Sequence, residues 1–393
     1  AHTPTEQQRE AIMTIDRHAA VTAGAGSGKT RVLVERYLYL LSQGVKISEI
    51  LAITFTRKAA LEMKERIRAG IAASNLPPSL LNEFNQARIS TIHSFCQRLV
   101  ADHPRQAEVD PRFRMAEEWE SRGLLYQVVE EQVASARADQ DSEISALAES
   151  YRQTSAFIDD LVEIYERIVS KGERSFAYQD QSDELNSEIV FLRGELLMRI
   201  PAWLEGLAEI KLSESKQKTT AEIRRLFSDY RANLAEPVRS EQELLAELAR
   251  LFGGSWAKDL KAEVQELREL CSLLGQRLYD LEANQILLKL GALLTAVDQE
   301  YQRRKKELGI LDYNDLERLA EKLLSSSEID QIYQFRHVMV DEAQDINPVQ
   351  KRIIARLTDN PNTKLFVVGD PKQSIYRFRG AQVEVFMELQ QEI

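Results

Sequence analysis

A glycine-rich run near the start of the chain has the composition of a phosphate-binding loop. It reads Ala-Gly-Ala-Gly-Ser-Gly-Lys-Thr over residues 23–30, between a short apolar run and an amphipathic helical pattern. Glycines let successive backbone N–H groups turn inward onto phosphate oxygens, and the N-terminus of the following helix adds partial positive charge. Lys29 would reach the β- and γ-phosphates of a nucleotide, and the Thr30 hydroxyl would bind Mg²⁺. Because Ala23 replaces the glycine of the strict pattern, a glycine-rich turn without a ligand is the alternative.

Two adjacent carboxylates follow a second apolar run far downstream. The run Val-Met-Val at residues 338–340 leads directly into Asp341 and Glu342. A parallel strand delivers the residues at its carboxyl end to the ligand crevice of an α/β sheet. There Asp341 would bind Mg²⁺ through a water, and Glu342 would polarise the water that attacks the γ-phosphate. Solvated loop charges are the common alternative for one such pair, but a phosphate loop in the same chain favours the metal and base roles.

The composition is that of a soluble globular protein rich in charged helix surface. Of 393 residues, 44% are hydrophobic and 29% are charged, and that length allows about two or three domains. Cys96 and Cys271 lie far apart without metal-ligand spacing, so we expect buried thiols in a reducing compartment. Since no apolar run has membrane-spanning length and no signal-peptide pattern is present, the sequence predicts a cytoplasmic protein without a membrane partner.

The net charge of −11 argues mildly against a nucleic-acid partner. Binding to nucleic acid depends, however, on where the positive charge lies rather than on its sum. The acidic excess lies mostly in the middle of the chain, and basic residues gather near the motifs: Arg57, Lys58, Lys64, Arg66, Arg68, Lys372, Arg377 and Arg379. The charge distribution therefore leaves such a partner open.

The order of the predicted elements indicates an α/β fold with one parallel-sheet nucleotide-binding domain and a large all-helical insertion. Strand patterns lie near residues 19–22, 50–55, 88–91, 338–341 and 365–369. Between the third and the fourth, some 200 residues repeat apolar side chains at three- and four-residue intervals, which is typical of helices. The chain begins without Met and stops within a helical pattern, so we expect it to be a piece of a longer protein.

Hydroxyl groups and cations gather where other predicted strands pass into helices. Two such runs are Thr-Phe-Thr-Arg-Lys at residues 54–58 and Ser-Thr-Ile-His-Ser at residues 90–94. Each places hydroxyl groups and a basic side chain at a predicted helix N-terminus, which is a suitable binding site for a nucleic-acid phosphate. At residues 367–381 a strand leads into the amide of Gln373 and then into two aromatic residues and two arginines. That run predicts a stacking platform for single-stranded nucleic acid.

With these ordered motifs, the chain closely resembles the UvrD/Rep group of superfamily 1 DNA helicases. The resemblance covers both α/β stretches and the run Gly-Ile-Leu-Asp-Tyr-Asn-Asp-Leu at residues 309–316. The motif sequences at residues 93–96, 109–114 and 370–373 are most similar to those of the AddA/RecB-like helicase–nuclease branch. The resemblance implies a 3′→5′ translocating DNA helicase that uses ATP and Mg²⁺ and acts in DNA repair or recombination.

The resemblance also implies a domain organisation. Residues 1–110 and 311–393 would form the first RecA-like ATP-binding domain, and residues 111–310 would form its helical insertion. In the family, a second RecA-like domain supplies an aromatic residue under the adenine and arginines on the γ-phosphate. No sequence follows Ile393 to carry them, so we expect the chain on its own to be inactive. No nuclease carboxylate cluster is visible.

By position, the resemblance assigns roles at a nucleotide site. Glu342, Lys29 and Gln373 would be catalytic, with Gln373 a γ-phosphate sensor that links hydrolysis to DNA. Thr30 and Asp341 would hold the metal ion. Gln8 would read the adenine edge, although a surface glutamine on a first helix is the alternative. The remaining nucleotide-binding residues would be Gly24, Ala25, Gly26, Ser27, Gly28 and Arg31.

The resemblance places a further set of residues on single-stranded DNA or on its junction with duplex: Thr54, Phe55, Thr56, Arg57, Thr91, His93, Tyr313, Tyr376, Phe378 and Arg379. Phe378 stands where relatives often have Trp, so we expect weaker stacking there. As bare aromatic residues, Tyr313 and Phe378 would be core residues, which is the alternative for both. A partner subunit of a helicase–nuclease complex is a further expectation.

Two other functions remain open from the residues. One is a DNA-repair or recombination scaffold whose nucleotide site acts as a binding switch without unwinding. The other is a different phosphate-loop NTPase, such as a transporter ATPase. The second is disfavoured because Gln373 and the aromatic–arginine run that follows it would have no role there.

Overall fold

The computed structural model describes residues 4–24, 28–138, 142–232, 234, 238–373 and 387–388. Within those ranges the chain forms seven strands and sixteen α-helices. The strands are β1 (Ala19–Thr22), β2 (Ile50–Thr54), β3 (Arg88–Thr91), β4 (Arg114–Met115), β5 (Ile310–Leu311), β6 (His337–Val340) and β7 (Lys364–Gly369).

The first half of the helices runs from the start of the chain into its middle: α1 (Glu6–Met13), α2 (Lys29–Ser42), α3 (Arg57–Ala73), α4 (Ser79–Glu83), α5 (Ile92–Asp102), α6 (Pro104–Ala107), α7 (Glu118–Ala138) and α8 (Ser142–Ser150). The second half continues with α9 (Thr154–Val169), α10 (Ser182–Gly206), α11 (Glu214–Ala232), α12 (Val238–Phe252), α13 (Lys261–Leu308), α14 (Tyr313–Leu324), α15 (Ser327–Ile332) and α16 (Pro348–Thr358). Short 3-10 turns lie at Ile47–Glu49, Phe84–Gln86, Leu207–Glu209, Ala343–Asp345 and Pro371–Gln373.

Five strands form one sheet in the order β1-β7-β6-β2-β3, and every neighbouring pair is parallel. The carboxyl ends of all five strands therefore share one edge of the sheet. β6 and β7, from late in the chain, lie between β1 and β2, from its beginning. The predicted α/β class and parallel sheet are confirmed. β4 and β5 pair separately, and their two-residue length leaves no periodic pattern for a sequence to reveal.

Helices cover both faces of this sheet, which explains the nearly continuous apolar sequence of its strands. Along β6, Val338 and Val340 belong to one core, together with side chains of α5, α14 and α16. Met339 belongs to the core on the opposite face, together with side chains of α2 and α3. Both cores lie in one compact unit, which consists of Ala1–Glu131, Ser155–Ser175 and Val297–Ile393.

Buried ionic contacts fix the first turn of α14. Lys305 Nζ lies 2.5 Å from Oδ2 of Asp312 and 2.5 Å from Oδ2 of Asp315, and Arg174 Nη2 lies 2.7 Å from Oδ1 of Asp315. Burial alone would raise the pKa of Asp315, but the two cations hold it below its ordinary value. Asp312 caps the helix by accepting a hydrogen bond from Asp315 N at 2.8 Å. These contacts hold Tyr313 at the beginning of α14.

A second compact unit consists of Gln132–Thr154 and Phe176–Ala296. The part of it that the structure describes contains helices and no strand. Side chains of α10, α11, α12 and α13 form its core, which includes Trp203, Phe227 and Tyr230. α13 alone runs for 48 residues, yet none of the described helices combines the length and the apolar character needed to cross a membrane. The boundaries of the helical insertion at residues 111 and 310 stay a prediction.

Candidate functional site

The phosphate-loop motif begins at the carboxyl end of β1, on the shared edge of the sheet. Gly369 O, at the end of β7, accepts a hydrogen bond from Ala23 N at 3.1 Å. Gly28 has a φ of 87° immediately before α2, a left-handed conformation that costs glycine little. α2 begins at Lys29, so Thr30 lies in its first turn. The described part of the motif therefore has the strand–loop–helix setting that its sequence predicts.

Gln8 lies beside this loop. A Cβ added to Gly28 would stand 3.5 Å from Gln8 Nε2, while Gln8 Oε1 accepts a hydrogen bond from Thr5 N at 3.0 Å within the capping box of α1. Arg31, in the first turn of α2, forms an ion pair with Glu35 one turn later, at 2.5 Å. Gly24 is described, but three predicted loop residues lie outside the described residues: Ala25, Gly26 and Ser27.

Lys29, at the start of α2, contacts the segments that follow β6 and β7. Its Nζ lies 2.6 Å from Glu342 Oε2 and 3.5 Å from Gln373 Oε1. The Lys29 side chain is 9% exposed and that of Glu342 is 36% exposed, so the pair is shielded on the lysine side and open on the carboxylate side. Residues 313 positions apart in the chain thus meet at one point.

Gln344 and Asp370 contact the predicted catalytic side chains, and the motifs had indicated no role for either residue. Gln344 Nε2 donates to Glu342 Oε2 at 2.9 Å, and Gln344 Oε1 accepts from Asp370 N at 2.9 Å. Asp370 Oδ2 in turn accepts from Gln373 Nε2 at 2.5 Å. Asp370 follows directly on the end of β7, and Gln344 lies four residues after the end of β6, so nearness to a strand end was the available signal. The resulting chain of contacts connects β6 to β7 across the site.

Asp341 is buried at the end of β6. Burial, and then the neighbouring charge of Glu342, raise the pKa of its carboxyl group from the ordinary 3.8 to about 6. Its Oδ1 accepts a hydrogen bond from Glu342 N at 3.0 Å. Glu342 itself has a φ of 50°, a left-handed conformation that is uncommon outside glycine. Such strain marks functional sites more often than ordinary loops.

Asp341→Asn should stabilise the protein at neutral pH. Because the folded pKa is raised, the native state loses stability as the pH rises from about 4 through 6, where Asp341 ionises. A neutral amide at this position would avoid that loss, so we expect the free energy of unfolding to rise by about 1–3 kcal/mol at pH 7 and to be unchanged at pH 4. Urea denaturation at both pH values measures it. Asp359→Asn, on an exposed side chain, is the control, and an equal gain at both pH values would contradict the prediction.

The residues at this edge fit a Mg²⁺ ion that takes most of its ligands from phosphate and water. Among the described residues, no cluster of three or more His, Cys, Asp and Glu side chains could hold a metal by itself. Asp345 Oδ1 is buried without a hydrogen-bond partner in that part of the chain, and burial and Glu342 raise the pKa of Asp345 to about 6. Mg²⁺ is commonly held by one or two carboxylates together with phosphate oxygens and waters. Asp341 and the Thr30 hydroxyl could supply the protein's share.

The predicted nucleic-acid motifs end two neighbouring strands. Thr54 on β2 stands opposite Thr91 on β3. Thr56 Oγ1 caps α3 by accepting from Ala59 N at 3.1 Å, and Thr91 Oγ1 caps α5 by accepting from Ser94 N at 3.2 Å. The hydroxyl groups of Thr56 and Thr91 therefore cap two helix N-termini at the same edge of the sheet. Arg57 is exposed at the first position of α3, and the preceding Phe55 is half-buried.

His93 and Tyr313 form a partly exposed aromatic pair. Their ring centroids are 4.7 Å apart, and Tyr313 is 46% exposed, so the alternative that Tyr313 is a core residue is wrong. His93 Nε2 lies 2.9 Å from Oε1 of the buried Glu317, a partner that the sequence did not indicate. The other predicted DNA-contacting residues, Tyr376, Phe378 and Arg379, lie outside the described residues.

The chain matches one family model and is similar to several curated proteins. The family model described as "UvrD/REP helicase N-terminal domain" matches residues 4–393. The chain is similar to three curated proteins whose names make each of them one subunit of an ATP-dependent helicase/nuclease. It is 31% identical to that of Syntrophomonas wolfei over 98% of this chain and 35% of the relative. It is 30% identical to that of Heliobacterium modesticaldum (98% and 33%) and 27% identical to that of Lactobacillus acidophilus (98% and 37%). The chain thus spans about a third of the length of these relatives.

Proposed function

This chain belongs to the UvrD/REP helicase N-terminal domain family, and from that premise we propose that it forms the ATP-binding part of a 3′→5′ DNA helicase. The family membership confirms the resemblance predicted from the motifs. Coupling of ATP hydrolysis to translocation along single-stranded DNA, and to unwinding in repair or recombination, is part of the proposal. Since the relatives are about three times as long as the region matched, we propose that this region acts within a longer protein.

The observation that carries the proposal is the contact between Lys29 and Glu342. It joins a phosphate-loop lysine to the carboxylate after β6 at 2.6 Å, on the strand edge where α/β sheets bind ligands. Gln373 completes the group at 3.5 Å from the same Nζ. A solvated loop charge or an empty glycine turn would not require this convergence of three segments.

We assign the nucleotide roles as follows. Lys29 binds the β- and γ-phosphates of ATP, while Thr30 and Asp341 hold Mg²⁺, which when bound neutralises phosphate charge. Glu342 orients the attacking water and accepts its proton, and Gln373 senses the γ-phosphate. Gln8 contacts the adenine edge. The other proposed contacts come from the loop and the start of α2: Gly24, Ala25, Gly26, Ser27, Gly28 and Arg31.

We assign single-stranded DNA to the edge formed by the ends of β2 and β3. The N-termini of α3 and α5 would bind phosphates, and Arg57 would add charge. Tyr313 would stack on a base, with His93 beside it at 4.7 Å between ring centroids. The remaining proposed contacts are Thr54, Phe55, Thr56, Thr91, Tyr376, Phe378 and Arg379.

Three further proposals concern the setting of this activity. The similar proteins are each named as one subunit of a helicase/nuclease, which favours a partner protein here as well. A DNA-repair helicase would act in the cytoplasm. Residues 111–310 would form a helical insertion in a RecA-like domain made by residues 1–110 and 311–393.

ATP hydrolysis and strand separation by the full-length protein test the proposal. We expect single-stranded DNA to stimulate hydrolysis, and duplexes with a 3′ tail to be unwound in preference to those with a 5′ tail. Binding of ATP and DNA without stimulated hydrolysis would instead indicate a nucleotide-switched scaffold. Preference for the 5′ tail would overturn the polarity alone.

A further inference from the structure

We propose that Glu317 is a positioning residue that couples DNA contact at His93 and Tyr313 to the segment carrying Glu342. Glu317 lies on α14 and is 2% exposed. Neither the motifs nor the proposed chemistry uses it, yet it touches both sides of the site. This inference rests on the proposed helicase function and concerns how its two ligands communicate.

One side of the coupling is the aromatic pair. Glu317 Oε1 stands 2.9 Å from His93 Nε2, so the carboxylate lies in direct contact with the ring. The His93 side chain is 34% exposed, and its ring lies against Tyr313. A nucleic-acid base or phosphate at this pair would therefore act directly on the contact between His93 and Glu317.

The other side is the beginning of α16. Glu317 Oε2 accepts a hydrogen bond from Asn347 Nδ2 at 2.9 Å, and Oε1 accepts one from Gln350 Nε2 at 2.6 Å. Asn347 is the N-cap of α16, with Gln350 N donating to its Oδ1 at 2.8 Å. The short turn Ala343–Asp345 connects Glu342 to this cap.

The geometry makes the coupling depend on the carboxylate. Two amide N–H donors, from Asn347 and Gln350, and the ring nitrogen of His93 converge on the carboxylate of Glu317, whose two oxygens only accept. An amide in its place offers one oxygen and turns the other position into a donor, so it would lose either the contact with Asn347 or the contacts of Oε1 with His93 and Gln350. Because Glu342 is held at a left-handed φ of 50° by its surroundings, a shift of the α16 cap would change its orientation.

The matched control is Glu321, one turn later on α14. Its carboxylate binds Arg352 of α16, with Oε1 2.6 Å from Arg352 Nε. Glu321→Gln therefore weakens a contact between the same two helices without touching His93 or Asn347. It separates loss of coupling from general loosening of α14 against α16.

The test measures the affinity of the full-length protein for single-stranded DNA with and without a non-hydrolysable ATP analogue and Mg²⁺. The ratio of the two dissociation constants is the coupling, and by linkage DNA must change nucleotide affinity by the same factor. For Glu317→Gln we expect the ratio to fall from about tenfold or more to within about twofold of one. Nucleotide affinity without DNA should stay within about threefold, and Glu321→Gln should keep the wild-type ratio.

His93→Phe provides a second variant should Glu317→Gln unfold. It keeps a ring beside Tyr313 but removes the Nε2 contact at a partly exposed position, and the coupling ratio should fall equally. A folded Glu317→Gln or His93→Phe protein with the wild-type ratio would overturn the inference, as would an equal fall in Glu321→Gln. Wild-type protein without DNA-stimulated ATP hydrolysis would instead overturn the proposed function itself.

Discussion

Glu342→Gln should slow ATP hydrolysis about 10²–10⁴-fold, the usual loss when a general base is removed. Glutamine keeps the size of the side chain and one acceptor oxygen but cannot take the proton of the attacking water. The oxygen that we expect to act, Oε2, now contacts Lys29 at 2.6 Å and Gln344 Nε2 at 2.9 Å. In the wild-type protein, phosphate must displace the Glu342 carboxylate from Lys29. Because Glu342→Gln removes this competing charge, the affinity for Mg²⁺–ATP should be unchanged or higher.

DNA-stimulated hydrolysis under single-turnover conditions, together with nucleotide binding by calorimetry, measures this effect in the full-length protein. Glu49→Gln is the matched control, because Glu49 precedes β2 at the opposite edge of the same sheet. We expect it to hydrolyse ATP at the wild-type rate. If Glu342→Gln also kept that rate, Glu342 would not be the base, and a binding switch would explain the site better.

The sequence predicted the five strands of the main sheet because buried parallel strands are short apolar runs. It also predicted that loops at their carboxyl ends would carry the chemistry, since that is where such sheets bind ligands. Strand order lies beyond this reasoning: only packing decides that β6 and β7 lie between β1 and β2. The meeting of Lys29 with Glu342 depends on that order, so the two motifs could be recognised separately but their contact could not.

Residues that support the site were harder to predict than residues that form it. Glu317 is one acid among many in a charged helical sequence, and its three partners come from α5, the N-cap of α16 and α16 itself. No spacing rule links these segments. For Gln8, in contrast to Glu317, the sequence offered two interpretations. The residue type alone favoured a surface glutamine, and the resemblance favoured a contact with adenine. The structure places the Gln8 amide beside Gly28 of the phosphate loop.

Lys29→Ala should weaken nucleotide binding by roughly 1.5–3 kcal/mol, the range for a charge-assisted hydrogen bond, or about 10- to 150-fold in dissociation constant. ATP-dependent activity of the full-length protein should be lost. Lys29 Nζ contacts both Glu342 and Gln373, so a γ-phosphate within reach of these two side chains would also be within reach of the ammonium group. Calorimetric titration with an ATP analogue and Mg²⁺ measures the loss of binding, and hydrolysis at the normal rate would show that the loop assignment is wrong.

A double variant removes the main ambiguity of that experiment. Lys29→Ala leaves the carboxylate of Glu342 without its cation, and this charge would itself repel a nucleotide. Combining Lys29→Ala with Glu342→Gln removes the charge as well. If lysine binds phosphate directly, the double variant should still bind nucleotide at least about tenfold more weakly than Glu342→Gln alone. Recovery of wild-type affinity in the double variant would mean that Lys29 merely neutralises Glu342, because the phosphate contact would then contribute nothing of its own.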